Sequence, residues 1–252
     1  ATKTTAVKKG NEWIINGSKV FTTNAGVAGV ISITAKVIEN DEEKGIGAFI
    51  IETDNPGLRL GPKEKKMGWN ASDTRQIFFE DLRVSDEQRL GKQIDGFRTF
   101  LKALVGGRIS VGALSCGTAE GAYSAALNYS HEREAFGKPI HKFQSVGFKL
   151  ADMATEIEAS KLLVYQAAKK YDEGHNVVKE AAMAKLFASE TAMKTTTEAI
   201  QVFGGYGYIK EYPAERFFRD AKVLTIGEGT SEIQKIIILR EILKSLDNAI
   251  SV

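Results

Sequence analysis

The feature that most constrains this 252-residue chain is a change of hydrophobic period near residue 90. Upstream, apolar side chains alternate with polar ones in short runs, the signature of strands with one buried face. The candidate strands are Thr4–Lys8, Glu12–Asn16, Ser18–Thr22, Val30–Ile38, Ile46–Glu52 and Gln76–Phe79. Turn signals separate them at Lys9-Gly10-Asn11, Asn16-Gly17, Asn40-Asp41 and Asn55-Pro56-Gly57. Asn16-Gly17 between two apolar runs is the strongest hairpin signal of the set. Short strands with no helix between them predict a small antiparallel barrel or sandwich.

Downstream the apolar residues recur at steps of three and four. Val146, Leu150, Met153, Ile157, Ser160, Val164, Ala167 and Tyr171 form one seam, and Ala182, Leu186, Ser189, Met193, Thr196, Ile200 and Phe203 form a second. Each seam is the buried stripe of a long amphipathic helix. Gly174 lies between them and reads as a helix stop. No proline interrupts the chain between Pro139 and Pro213, as two long helices require. A first helix from about Phe97 to His131 and a last one from about Ser231 to Leu246 complete a bundle of four. The expected fold class is therefore α+β and multidomain: a small antiparallel β-barrel or sandwich over 1–90, then an antiparallel four-helix bundle over 91–252. The linker is expected at Leu90–Gly96. Strand alternation begins at once after Ala1, with no Met and no leader, so a segment is expected upstream.

Composition removes several classes. A chain that is 43% hydrophobic can bury enough surface to offset its ordering entropy, which excludes disorder. The single cysteine, Cys116, cannot close an internal disulfide, which favours a reducing compartment. Lys and Arg number 34 against 32 Asp and Glu, a balance that gives no reason to expect a nucleic-acid partner. No apolar run approaches the about 20 residues of a membrane span, and none is expected. The histidines, His131, His141 and His175, lack metal-ligand spacing, so no metal is expected.

Three clusters carry candidate chemistry. His131–Ile140 ends one helix and Phe143-Gln144 opens the next; Arg133 beside the Gly137-Lys138-Pro139 turn either forks onto a phosphate or caps the helix in solvent. Gln201–Tyr208 holds three glycines, which serve either close backbone approach to a ligand or a simple helix end. In Ile226–Gln234, Glu228 stands between two glycines just before Thr230, a candidate N-cap. Glu228 is either a carboxylate that reaches a substrate or a charge favoured by the helix dipole.

Taken together and in order, these clusters resemble the acyl-CoA dehydrogenase family, nearest its short-chain or butyryl-CoA branch. The resemblance covers the whole chain. Its motifs are Asn16–Asn24, Lys66-Met67-Gly68, Ser72-Asp73-Thr74, Phe79-Glu80-Asp81, Gly106-Gly107-Arg108, Arg133 with Phe136–Pro139, Phe143-Gln144, Gln201 with Gly204-Gly205, and Glu228–Glu232. It implies that 1–90 are most of a middle β-domain, 91–252 are the C-terminal helical domain, and an N-terminal helical domain is absent from these residues. It implies FAD held between subunits of a homotetramer, a dimer of dimers, with electrons passed to an electron-transfer flavoprotein. Phe21, Thr22 and Thr23 would lie against the flavin. Arg133, Phe136, Phe143, Gln144, Gln201, Gly204 and Gly205 would grip the far end of a neighbour's FAD, and Thr230 and Glu232 would add contacts. Arg108 and Gly229 would touch substrate.

The resemblance further implies that Glu228 is the base removing the α-proton of a short- or medium-chain acyl-CoA, giving a trans-2-enoyl-CoA in fatty-acid β-oxidation. The Glu228 backbone N–H and a flavin ribityl hydroxyl would hold the thioester oxygen. Gly107 stands where the isovaleryl and long-chain branches carry their base, so the straight-chain enzymes fit better. Gly227, Val105 and Asn70 depart from common family residues, at the acyl pocket, a CoA contact and the segment before Ser72 respectively. Two alternatives keep the fold: an acyl-CoA oxidase or flavin monooxygenase, and an inactive oligomerising fragment. The expected location is bacterial cytoplasm or mitochondrial matrix.

Overall fold

A computed structural model of the chain describes residues 2–91 and 95–250, with side chains to 246. The chain divides into two compact units, Ala1–Ala103 and Leu104–Val252. The expected linker, Leu90–Gly96, includes residues 92–94, which lie outside the described residues.

Among the described residues the first unit carries seven strands: β1 (Thr5–Lys9), β2 (Glu12–Thr23), β3 (Val30–Glu39), β4 (Glu42–Glu52), β5 (Leu58–Lys63), β6 (Thr74–Ser85) and β7 (Arg89–Leu90). They form one sheet in the order β5-β6-β2-β1-β3-β4-β7. All pairings are antiparallel except β1 with β3, which is parallel. Alternation places Trp13, Ile15, Ile33, Val37, Phe49, Ile51, Ile77 and Leu82 in one apolar core, with Trp13 edge-on to Phe49 at 5.4 Å. The buried Trp13 ring donates its Nε1–H to Asp86 Oδ1 at 2.7 Å, and Lys8 Nζ donates to the same oxygen at 2.7 Å. These two bonds, that from Lys8 first, hold the Asp86 carboxyl below its usual range.

The hairpin expected at Asn16-Gly17 is not there. β2 runs straight through, with a register irregularity against β6 between Ile15 and Gly17. The real hairpin closes at Gly10-Asn11, where Lys9 pairs with Glu12. The reason lies in the Asn16 side chain: its Nδ2 donates to Asp81 Oδ1 at 3.0 Å and its Oδ1 accepts from the Asp81 N–H at 2.8 Å. The dipeptide therefore marks a bulge that ties β2 to β6, and the two strands expected on either side are one. Strands β5 and β7 were not expected at all.

Long helices dominate the rest of the chain: α1 (Gly96–Glu132), α2 (Gln144–Asp172), α3 (Val178–Phe203) and α5 (Ser231–Ile250), with a short α4 (Ala214–Lys222). The first four long elements match the expected bundle, and α4 is an addition. A two-residue ribbon of β8 (Glu134–Ala135) and β9 (Lys138–Pro139) joins α1 to α2. Helix α3 packs against α2, α4 and α5. Its buried residues include Ala181, Ala184, Ala188, Ala192 and Ala199, small side chains that let neighbours approach closely. One core joins Ile109 and Cys116 to Val164, Ala167 and Ala184; another joins Ala122 and Ala126 to Leu150, Met153 and Phe203. By length and composition alone, α1 is long and apolar enough to cross a membrane, against expectation. One face of it, from Arg108 through Ala119 to Ser130, is buried within the protein.

Candidate active site

The loop between α4 and α5 is where sequence and geometry converge. A 3₁₀ turn over Val223–Thr225 follows α4, and the Gly227 N–H donates back to the Val223 carbonyl at 2.8 Å. The next residues turn left-handed: φ is 55° at Glu228 and 95° at Gly229. Helix α5 then starts, with the Ile233 N–H donating to Thr230 Oγ1 at 3.4 Å and the Gln234 N–H to the Thr230 carbonyl at 3.0 Å. Thr230 is thus the N-cap that the sequence indicates. Ser231 donates its hydroxyl to Glu190 Oε1 of α3 at 2.5 Å. Glu232, exposed in the first turn, accepts from its own backbone N–H and then from the Thr230 hydroxyl, which together hold its carboxyl below the usual range.

A positive φ at Glu228 costs free energy for a side chain with a Cβ. Its effect is to aim the carboxylate at α1. A Cβ placed on Gly107 would stand 2.8 Å from Glu228 Oε2, so the carboxylate lies directly over that bare backbone. Oε2 is buried and makes no hydrogen bond among the described residues. Arg108, the next residue of α1, is 5% exposed, and its Nε is likewise buried without a partner. Burial draws the Arg108 guanidinium below its ordinary value, and the Glu228 charge pulls it back up. The pair leaves one carboxylate acceptor and one guanidinium donor in a sheltered space, an arrangement suited to an acid–base step beside an anion-binding cation.

The second cluster forms at the other ends of the helices. A cavity of about 420 Å³ is lined by Tyr129, Arg133, Ile140, Phe203, Gly204, Gly205 and Tyr206, among others. The Arg133 guanidinium lies 5.7 Å from the Tyr206 ring centroid. Phe136 is 96% exposed with φ 49°, and meets Phe143 edge-on at 6.1 Å. Gln144 and Gln201 are exposed near the start of α2 and the end of α3. Of the residues expected at a nucleotide, Arg133, Gly204 and Gly205 thus share a cavity, and Phe136 and Phe143 share a contact. Phe21, Thr22 and Thr23 end β2 in the first unit; Phe21 is 75% exposed and again left-handed, with φ 55°.

Sequence reasoning did not single out two side chains at the Glu228 loop. Lys185 and Gln234 are both 0% exposed and both bond the loop's carbonyls. The signal for Lys185 was a charge inside an otherwise Ala, Ser and Thr face of α3.

Comparison with known proteins identifies the family. Residues 1–82 match the acyl-CoA dehydrogenase middle domain and residues 94–243 the acyl-CoA dehydrogenase C-terminal domain. An acyl-CoA dehydrogenase of Bacillus subtilis is 46% identical over 241 residues, covering 96% of this chain and 64% of that protein. The butyryl-CoA dehydrogenase structure from Megasphaera elsdenii superposes with a TM-score of 0.92 at 46% identity, covering 96% of this chain and 63% of that one. A chain in a structure described as the electron transferring flavoprotein of Acidaminococcus fermentans gives a TM-score of 0.92 at 48% identity, covering 96% of this chain and 64% of that one. The chain therefore spans less than two thirds of the length of the relatives it matches. Two adjoining family domains, matched along nearly the whole sequence, place the chain in the acyl-CoA dehydrogenase family.

Proposed function

We propose that this chain carries the catalytic base and the FAD contacts of an acyl-CoA dehydrogenase that oxidises short- or medium-chain, straight acyl-CoA to the trans-2-enoyl-CoA. The observation that carries the reading is the Glu228 carboxylate, held over Gly107 beside Arg108 with one oxygen buried and unbonded. An α-proton next to a thioester is weakly acidic, and a carboxylate in a water-poor space is a competent acceptor for it. Glu228 takes that proton onto its free oxygen. Arg108 supplies positive charge where the thioester and its CoA approach. Gly107 leaves room for the base and keeps the competing base position of the branched- and long-chain enzymes empty.

FAD fits the residues present. The open Gly204-Gly205 turn, where a Cβ would meet nothing within 4 Å, the Arg133 guanidinium and the aromatic walls suit a pyrophosphate-bearing, aromatic group. Arg133, Gly204, Gly205, Gln201, Phe136, Phe143 and Gln144 would hold the far end of a neighbouring subunit's FAD, while Phe21, Thr22 and Thr23 on the β-unit would lie against a flavin and Thr230 and Glu232 at the start of α5 would add contacts. When bound, it supplies the acceptor for the hydride equivalent leaving the β-carbon. The electron-transfer flavoprotein as onward acceptor is supported by the similarity to a chain from an electron transferring flavoprotein structure. The same proposal includes a homotetramer, a domain boundary near residue 90, and a bacterial cytoplasmic or mitochondrial matrix location.

The test is Glu228→Gln in the full protein. The amide keeps shape and loses the base, so anaerobic flavin bleaching by butyryl-CoA should fall by about 10²–10⁴-fold with FAD content unchanged. Bleaching at the parent rate would remove Glu228 from the role of base.

A further inference from the structure

We propose that Lys185 and Gln234 are positioning residues that lock the Glu228 loop so that its carboxylate points over Gly107. The inference rests on the reading of Glu228 as base and deepens it.

The loop presents two successive carbonyls to the protein interior. Gln234 Nε2 donates to the Glu228 carbonyl at 3.1 Å and to the Gly229 carbonyl at 2.9 Å. Lys185 Nζ donates to the same Gly229 carbonyl at 2.9 Å. Three bonds from two fully buried side chains thus fix the two peptide planes that follow Cα of residue 228 and Cα of residue 229. The left-handed Glu228 is strained, and such a backbone persists only where its surroundings over-determine it. The clamp is that over-determination. With both carbonyls held inward, Glu228 keeps the backbone conformation from which its carboxylate lies over Gly107.

The choice of side chains argues for a geometric role. A buried ammonium is costly unless paired or hydrogen-bonded. The charges that act on Lys185 are the opposite charges of Glu190, Glu228 and Glu232 and the like charge of Arg108; its direct bond goes to the Gly229 backbone carbonyl. A core filler would not need that charge, since the other buried residues of α3 are all uncharged: Ala, Ser and Thr, with Val202 and Phe203 at its end. Gln234 is held equally closely: a Cβ on Gly229 would stand 2.8 Å from Gln234 Nε2, so the glycine leaves space for the amide. The clamp comes from two helices, α3 and α5, so the loop is referenced to rigid elements on both sides.

A displaced base loses rate before it loses substrate, because misplacement of a reacting group by about 1 Å can cost on the order of 10²-fold. The experiment uses the full-length holoenzyme and three variants: Gln234→Met, Lys185→Met and Glu228→Gln. Gln234→Met should keep FAD content, native mass and a KM for butyryl-CoA within about 3-fold, while anaerobic bleaching slows by about 10–100-fold. Deuterium at the substrate α-carbon should then slow bleaching more than it does in the parent, as proton removal becomes harder. A Gln234→Met enzyme that bleaches at the parent rate while Glu228→Gln is inert would overturn the clamp and leave the base in place. A fully active Glu228→Gln would overturn the base itself. Lys185→Met is read in the same way; loss of FAD or native mass in step with rate would assign Lys185 to structure alone and overturn its part.

Discussion

At the scale of single residues, the contact between Glu228 and Gly107 makes a separable forecast. Replacing glycine by alanine inside a helix ordinarily stabilises by about 0.5–1 kcal/mol. At position 107 the new Cβ would meet Glu228 Oε2 at 2.8 Å and Cδ at 3.1 Å. Those atoms are the far end of a flexible side chain, so the carboxylate moves and the helix does not. Gly107→Ala should therefore melt at the same temperature or higher, yet bleach its flavin with butyryl-CoA at least about 10-fold more slowly. Thermal melts and stopped-flow traces on one preparation check both halves. An unchanged rate would mean that the carboxylate works from somewhere other than above α1. Glu228 was marked in the sequence by its place between two glycines before an N-cap, with a charge favoured by the helix dipole as the alternative there, and the role of base came from the family resemblance. Lys185 and Gln234 were not, because what matters about them is whose carbonyls they reach, and a periodicity argument treats each as an isolated polar residue on a helix.

At the scale of elements, legibility followed the strength of local chemistry. The α2 seam was read correctly over its middle: Leu150, Met153, Ile157, Ser160, Val164 and Ala167 are all buried, while at its ends Val146 is half-buried and Tyr171 is 48% exposed. The α3 seam was half read. Ala182, Ser189, Thr196 and Phe203 are buried as expected, but so are Ala181, Ala184, Lys185, Ala188, Ala192 and Thr195, because α3 is covered by several partners at once. Small and hydroxylated residues hide such a second face from hydropathy. The Asn16-Gly17 error had the same origin in reverse, since a local turn preference lost to the pairing of Asn16 with Asp81 across strands. Gly174 is the cleanest local success. The N–H of Gly174 bonds the Tyr171 carbonyl and that of His175 bonds the Lys170 carbonyl, each at 3.0 Å, while φ at Gly174 is 79°. This is the 6→1 and 5→2 pattern that ends a helix on a left-handed residue. A Cβ there meets nothing within 4 Å, so the whole cost of Gly174→Ala is backbone strain. Chemical denaturation should show a loss of about 1–2 kcal/mol with catalysis intact; no loss would mean the turn has an alternative closure.

At the scale of the whole molecule, the division into a sheet unit and a helical unit was legible from period alone, since period two and period 3.6 cannot share a segment. What period does not show is which apolar faces the folded chain leaves uncovered. Helix α5 exposes Ile236, Leu239, Leu243 and Leu246 at 60%, 57%, 49% and 53%, at steps of three, four and three along one stripe. A solvent-facing helix has no use for that stripe, and contiguous apolar surface of this kind marks a contact between molecules. The proposed homotetramer supplies the partner: a second copy offering its own apolar helices. Because these side chains are exposed within these 252 residues, changing them should cost little in the folding of this part of the protein. Placing carboxylates against a dry interface, by contrast, opposes assembly strongly. The double variant Ile236→Glu, Leu243→Glu in the full protein should fold with parent-like circular dichroism but elute with light scattering below the tetramer mass. If FAD is gripped by residues of a neighbouring subunit, as proposed for Arg133, Gln201 and Gly204, the dissociated protein should also lose its flavin absorbance. Loss of mass with flavin retained would place the FAD contacts within one subunit; retention of the tetramer would move the interface away from α5.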